Sequence, residues 1–185
     1  MRTIVNISGY NGQPENNIFR LVNSMSFGFD VKIVAPRLAH KPSLDYPYLL
    51  DIVKSIQDPV VIMAKSMGAF YAGILASLYK IPMICFNPSF NPLKNLQFND
   101  EDAQVLLNHD YSAFEFEKYM TCYMSSSDIR IDHLDQIKKY SFLTKSYNVI
   151  VGSYNHDFDE IEKDAYLSNL IKWNIDYYFA QIDPA

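Results

Sequence analysis

Short apolar runs alternate along this chain with longer stretches in which apolar residues recur every three or four positions. The runs are Ile4–Ile7, Asp30–Ala35, Pro59–Ala64, Ile81–Phe86, Tyr119–Met124 and Tyr147–Val151, each the length of a buried strand. Between them, residues 16–27 carry Ile18, Phe19, Leu21, Val22 and Met25 at helical spacing. Residues 44–56 place Leu49, Ile52, Val53 and Ile56 on one face, and 69–78, 132–142 and 160–179 predict three further helices. Strands that are apolar almost throughout, alternating with helices, predict a parallel sheet covered on both faces, an α/β fold. The rhythm breaks once, over residues 91–117, a polar stretch dotted with aromatics and longer than an ordinary connection. Its Leu93, Leu96, Phe98, Leu106, Leu107, Tyr111, Phe114 and Phe116 are too many apolar groups to leave in water, so a lid or pocket wall is expected there. No repeat, low-complexity tract or linker divides the rest, and 185 residues suit one domain, 1–185, with a sizeable core.

Composition narrows the function. A net charge of −5 without a basic cluster argues against a nucleic-acid partner, and the Lys138-Lys139 pair reads as a solvated helix face. Cys85 and Cys122 both lie in apolar runs, as buried thiols of a reducing compartment do. The N-terminal stretch Met1–Ile7 has a basic residue but no export-length apolar run, and no segment could span a bilayer. A soluble cytoplasmic protein with no membrane partner is expected. The 14 Tyr and 12 Phe are enough to line an aromatic pocket or interface as well as a core.

In open parallel sheets, ligands gather at the carboxyl ends of the strands, so the residues that follow each run carry the candidate chemistry. The first run ends in Ser8-Gly9-Tyr10-Asn11-Gly12 and the third in Lys65-Ser66-Met67-Gly68; the fifth leads to Asp128 and the sixth to His156. Around Ser66 the pattern is A-x-S-x-G, with small residues at Ala64 and Gly68, as a sharp strand-to-helix turn requires. Such a turn holds the Ser66 hydroxyl clear of the backbone at the positive end of a helix dipole; the same serine could equally cap the helix. A serine needs a base to take its proton, and His156, between the last strand and the last helix, is the candidate. His40, His109 and His133 sit in a proline-flanked loop, in the inserted segment and at a helix start. Asp128 is the candidate acid to orient that imidazole, with Asp132 as the alternative acid or a helix cap. Asp157 and Asp159 lie close to His156 in sequence for that role. The backbone N–H groups of Tyr10 and Met67 are the expected oxyanion donors, and Asn11, Leu96 and Phe98 the expected pocket residues. Dispersed histidines give no metal site, and Gly9–Gly12 has neither the glycine spacing nor the lysine of a phosphate loop.

Taken together, the stretches Ser8-Gly9-Tyr10-Asn11, Ala64–Ala72, Phe86-Asn87-Pro88 with Asn91-Pro92, Ser127–His133 and Asn155-His156-Asp157-Phe158 carry a resemblance. In order and spacing they look like the compact form of the alpha/beta-hydrolase fold, and most like the small bacterial esterases of the YqiA type. That resemblance implies a six-stranded, mostly parallel sheet in a three-layer α/β/α sandwich. It implies Ser66 as nucleophile, Asp128 as acid, His156 as base, and Tyr10 and Met67 at the oxyanion positions. It also implies hydrolysis of small or short-acyl carboxylic esters through an acyl-enzyme intermediate, with a small-molecule substrate and no cofactor. Three positions depart from the family pattern: Ser8 stands for a histidine, Ala64 for the first glycine of the elbow, and Ser127 for the glycine before the acid. None removes a reacting group. The alternative is a non-catalytic member of the fold that binds a small molecule or a protein partner.

Overall fold

The computed structural model describes residues 1–109, 119–140, 143, 147–152 and 154–183. Tyr111, Phe114 and Phe116 of the inserted segment, and the expected end of the helix over 132–142 past Tyr140, lie outside the described residues. The six expected strands are β1 (Arg2–Ile7), β2 (Val31–Val34), β3 (Val60–Lys65), β4 (Met83–Phe86), β5 (Met120–Ser125) and β6 (Tyr147–Val151). They form one six-stranded sheet in the order β2-β1-β3-β4-β5-β6, and every neighbouring pair is parallel. The described helices are α1 (Asn17–Asn23), α2 (Pro42–Ser55), α3 (Gly68–Tyr79), α4 (Asp100–Leu107), α5 (His133–Lys139) and α6 (Ala165–Ile182).

The two-residue period of the strands sorts their side chains between two cores. Val5, Ile62, Ala64, Met83, Cys85, Cys122 and Met124 point to one face and bury against Leu49 and Val53 of α2 and the length of α3. Ile4, Val61, Met63, Ile84, Phe86 and Tyr123 point to the other, against Ile18, Leu21 and Val22 of α1 and Leu167, Ile171, Ile175, Tyr178 and Phe179 of α6. Each such side chain contributes about 1.5–3 kcal/mol on full burial. Polar groups fix α6 on β5: Thr121 Oγ1 meets Tyr178 OH at 2.8 Å, and Asn174 Nδ2 donates to Tyr123 OH at 2.6 Å. Burial pushes both phenols well above their usual range, so they act here as neutral hydroxyls.

Two helix boundaries differ from the periodicity. The first helix stops at Asn23 rather than near Phe27, because the Ser24 hydroxyl takes the Leu21 carbonyl at 2.7 Å. The last begins at Ala165 rather than 160, after a 3-10 turn at Ile161–Lys163, where the Asp164 side chain accepts the Leu167 N–H at 2.9 Å and caps it. The inserted segment starts with a 3-10 turn at Pro92–Lys94 and continues into α4. There Asp102 accepts from both the backbone N–H and the hydroxyl of Ser43, at 2.9 and 2.8 Å, tying α4 to the start of α2. Leu93, Leu96, Phe98 and Leu106 pack on the α2–α3 core, while Leu107 is exposed.

Parallel registry brings the carboxyl ends to one edge: Ile7 pairs with Ala64, Lys65 with Phe86, Phe86 with Tyr123, and Ser125 with Val151. The chain order reverses between β1 and β3, which opens a crevice at that edge. Across it the start of α3 comes very close to β1, since a Cβ on Gly68 would lie 2.4 Å from the Ile7 carbonyl oxygen and 2.8 Å from that of Ser8. Both are backbone atoms and cannot swing away. Gly68→Ala should therefore lose stability by about 1–3 kcal/mol or more from overpacking, outweighing a gain of at most about 1 kcal/mol in helix propensity. Urea unfolding measures this, and a midpoint equal to or above the wild type would contradict the contact.

Candidate active site

Ser66 sits at the end of β3 with φ 50°, a left-handed conformation that a side chain adopts at a cost of about 1–3 kcal/mol. Its surroundings hold it there. The Ser66 N–H donates to the Phe86 carbonyl at 3.0 Å, while the Ser66 carbonyl accepts from Ala69 N at 3.0 Å and Ser89 N at 2.9 Å. The loop after β1 lies directly against it, because a Cβ on Gly9 would be 2.8 Å from Ser66 Cβ and 3.4 Å from its Oγ. Helix α3 begins at this point with no side-chain cap. Among the described residues, the Tyr10 and Met67 N–H groups donate to no protein acceptor. Ser66 thus lies against the loop that carries Gly9 and Tyr10, at the edge where β1 and β3 end.

At the neighbouring strand ends, His156 Nδ1 lies 2.9 Å from Asp128 Oδ2, and both side chains are buried. The other carboxylate oxygen, Oδ1, accepts the backbone N–H groups of Arg130 at 2.8 Å and Ile131 at 3.3 Å. Burial raises the Asp128 carboxyl, but hydrogen bonds from His133, His156 and Arg130 outweigh it and hold the group well below the ordinary carboxylate range. An ionised Asp128 puts the His156 proton on Nδ1 and leaves Nε2 as the basic lone pair. Asp132, the alternative acid, accepts Asp135 N at 2.9 Å and caps α5 instead. Asp157 pairs with Lys65 at 2.6 Å, joining the residue before Ser66 to the residue after His156, and Arg130 stands 3.6 Å from the same carboxylate.

The loops themselves are cross-tied. Ser126 N donates to Val151 O at 2.9 Å, and the Ser125 hydroxyl donates to the Tyr154 carbonyl, fastening the acid loop to the histidine loop. Asn87, fully buried with φ 42°, accepts Ser125 N at 2.7 Å and donates to the carbonyls of Asn155 and His156, both at 3.2 Å. The loop bearing Tyr10 has its own supports: Asn11 N donates to His40 Nδ1 at 3.2 Å, and the Tyr10 ring stands edge-on to His40 and Phe98 at 5.7 and 5.9 Å. Of the expected pocket residues, Asn11 and Phe98 come to this rim; Phe98 and Leu96 both pack on the α2–α3 core. Asn87, Lys65, His40 and His133 were not anticipated as part of the site. Asn87 alone carried a signal, a polar residue before proline at the end of an apolar strand.

Residues 3–174 match the family described as "Uncharacterised protein family (UPF0227)", so the chain belongs to that family. No curated protein matches it. Among solved structures it is similar to Est1E from Butyrivibrio proteoclasticus with ferulic acid bound, at 13% identity and a TM-score of 0.75, covering 97% of this chain and 90% of that one. An alpha/beta superfamily hydrolase from Oenococcus oeni gives 12% identity and a TM-score of 0.66, with 95% and 92% covered. BorB, a type II thioesterase from the borrelidin biosynthetic cluster, gives 14% and 0.60, with 95% and 91% covered. These likenesses establish the alpha/beta-hydrolase fold, three layers around a parallel sheet.

Because the folded Asp128 carboxyl lies below its unfolded value of about 4, its stabilising contribution is complete above that pH and is lost as the pH falls through the folded value. Asp128→Asn should therefore flatten the fall in unfolding free energy between about pH 4 and pH 2. Urea titrations at fixed pH values test it. Equal slopes in the two proteins would mean that the carboxylate is not held by these donors.

Proposed function

We propose that this member of UPF0227 is a serine hydrolase of small carboxylic esters or thioesters. The reading rests on one observation: the His156–Asp128 contact at 2.9 Å stands on the same sheet edge as Ser66 in its left-handed turn. In this account Ser66 Oγ attacks the substrate carbonyl carbon as His156 Nε2 takes its proton. Asp128 holds the imidazole through Nδ1 and stabilises the imidazolium that forms. The carbonyl oxygen becomes an oxyanion facing the N–H groups of Met67 and Tyr10, each such donor being worth about 3 kcal/mol in the transition state. Collapse returns the proton to the leaving alcohol or thiol and leaves an acyl-serine, and water then repeats the steps to release the acid.

Fold similarity to Est1E, seen with ferulic acid, and to a thioesterase supports a carbonyl substrate with oxygen or sulfur leaving. Among the described residues of the inserted segment, 91–109 form a lid or pocket wall in this reading, with Phe98 standing against Tyr10. Free, buried Cys85 and Cys122 favour a reducing, cytoplasmic setting, and no described helix is long and apolar enough to cross a membrane.

A fluorophosphonate probe should label the wild type but neither Ser66→Ala nor unfolded protein; absence of labelling in the folded wild type would favour the binding-protein alternative. On short aryl esters, Asp128→Asn should lower kcat by up to about 10⁴-fold, as loss of the orienting acid does in other triads. Ser66→Ala and His156→Ala should each lose several orders of magnitude without multiplying in the double variant. Near-wild-type turnover in Ser66→Ala would end the serine-hydrolase account. Phe98→Ala should change the acyl-chain-length profile of kcat/KM more than the rate on the smallest ester, since each methylene held in a pocket is worth about 1–3 kcal/mol. An unchanged profile in folded protein would mean that Phe98 serves the core alone.

A further inference from the structure

Asp128 has a second histidine on it. The oxygen that meets His156 Nδ1, Oδ2, also lies 3.1 Å from His133 Nε2. The same Nε2 is 3.1 Å from Asn87 Oδ1. Both neighbours are acceptors: Asp128 is a carboxylate, and the Asn87 amide is oriented by Ser125 N, which donates to its Oδ1, and by the two loop carbonyls that take its Nδ2 protons. Nε2 must therefore carry the His133 hydrogen. The opposite nitrogen, Nδ1, is buried and has no partner among the described residues, so a second proton on that ring would find no acceptor among them. The helix that carries the ring is tied down as well. One turn further along α5, Gln136 donates to Pro88 O and accepts from Phe90 N, both at 2.8 Å, pinning the helix to the loop that carries Asn87.

We propose that His133 is a positioning residue for the candidate acid: a fixed imidazole donor that shares Asp128 Oδ2 with His156 and limits how strongly the carboxylate pulls on the His156 Nδ1 proton. The inference rests on the reading of Ser66, His156 and Asp128 as a hydrolytic site, and deepens it. Two donors on one oxygen divide its charge, so removing His133 shortens and strengthens the remaining His156–Asp128 bond. The other charged groups around His156 are the Lys65–Asp157 pair from the end of β3 and Arg130 from the acid loop, and they are common to every variant compared.

The test uses nitrogen–proton NMR of the histidine side chains in the wild type, His133→Phe and His133→Gln; glutamine keeps a donor near the position of Nε2 and phenylalanine keeps ring volume without one. In the wild type the neutral His133 ring should show its hydrogen on Nε2 and a bare Nδ1, a readout that requires no variant to fold. In His133→Phe the His156 Nδ1 proton should move downfield, and His133→Gln should restore it. A neutral His133 ring carrying its hydrogen on Nδ1, or a His156 proton unmoved in folded His133→Phe, would overturn the proposal. With an ester that is turned over, the acid limb of kcat/KM should move to higher pH in His133→Phe and return in His133→Gln. A rearrangement that only loosened the fold would lower stability and leave that limb in place. If no ester is hydrolysed, the hydrolase reading fails while the NMR arm still decides the role of His133.

Discussion

The closeness of β1 to the turn after β3 is the constraint on which the rest of the site depends. With carbonyl oxygens of Ile7 and Ser8 inside the space a methyl on Gly68 would need, the helix α3 can start only where it does. That start forces Ser66 into a left-handed turn and lays Gly9 against it. The cost, about 1–3 kcal/mol, is offset by three backbone hydrogen bonds at Ser66 and by the burial of α3 from Gly68 to Ala76. Backbone packing therefore sets the Ser66 hydroxyl against the loop after β1, before any side-chain chemistry is considered.

A second layer of organisation works through side chains that never face the crevice. Asn87 binds three segments at once: the end of β5, the histidine loop, and His133 at the head of α5. The Lys65–Asp157 pair does similar work between the turn at Ser66 and the loop at His156. On the opposite flank, Asp45 accepts the N–H groups of Ala39 and Lys41, at 2.7 and 3.0 Å. It thereby shapes the bend in which His40, with φ 60°, meets Asn11. Each loop at the strand ends is thus held from outside by a buried or half-buried polar group whose partner lies on another element.

The sheet was legible in the sequence because buried parallel strands are written as apolar runs, and Val60–Lys65 or Met83–Phe86 leave no other reading. Helix ends were less so, since Ser24 and Asp164 act by single hydrogen bonds that periodicity does not register. The ambiguity between Asp128 and Asp132 has a physical origin. Both carboxylates accept N–H groups two or three residues ahead, so locally they do the same job. Only the distance from His156, set by β5 and β6 lying side by side, separates them. The contacts of His133 with Asn87 and of Lys65 with Asp157 span 46 and 92 positions, and nothing in the local pattern announces such pairs.

The position of Asn87 has a chemical consequence for the lifetime of the molecule. Asparagine side chains age when the backbone nitrogen of the next residue attacks the amide carbonyl, closing a ring that opens to aspartate or its isomer. Here the next residue is Pro88, whose nitrogen carries no hydrogen and is already bonded to three carbons. The ring cannot close. An aspartate at 87 would lose both donated hydrogen bonds and would set a second negative charge beside His133, the shared partner of Asp128. The Asn-Pro pair therefore keeps the amide that ties the three segments together an amide for as long as the chain stays intact.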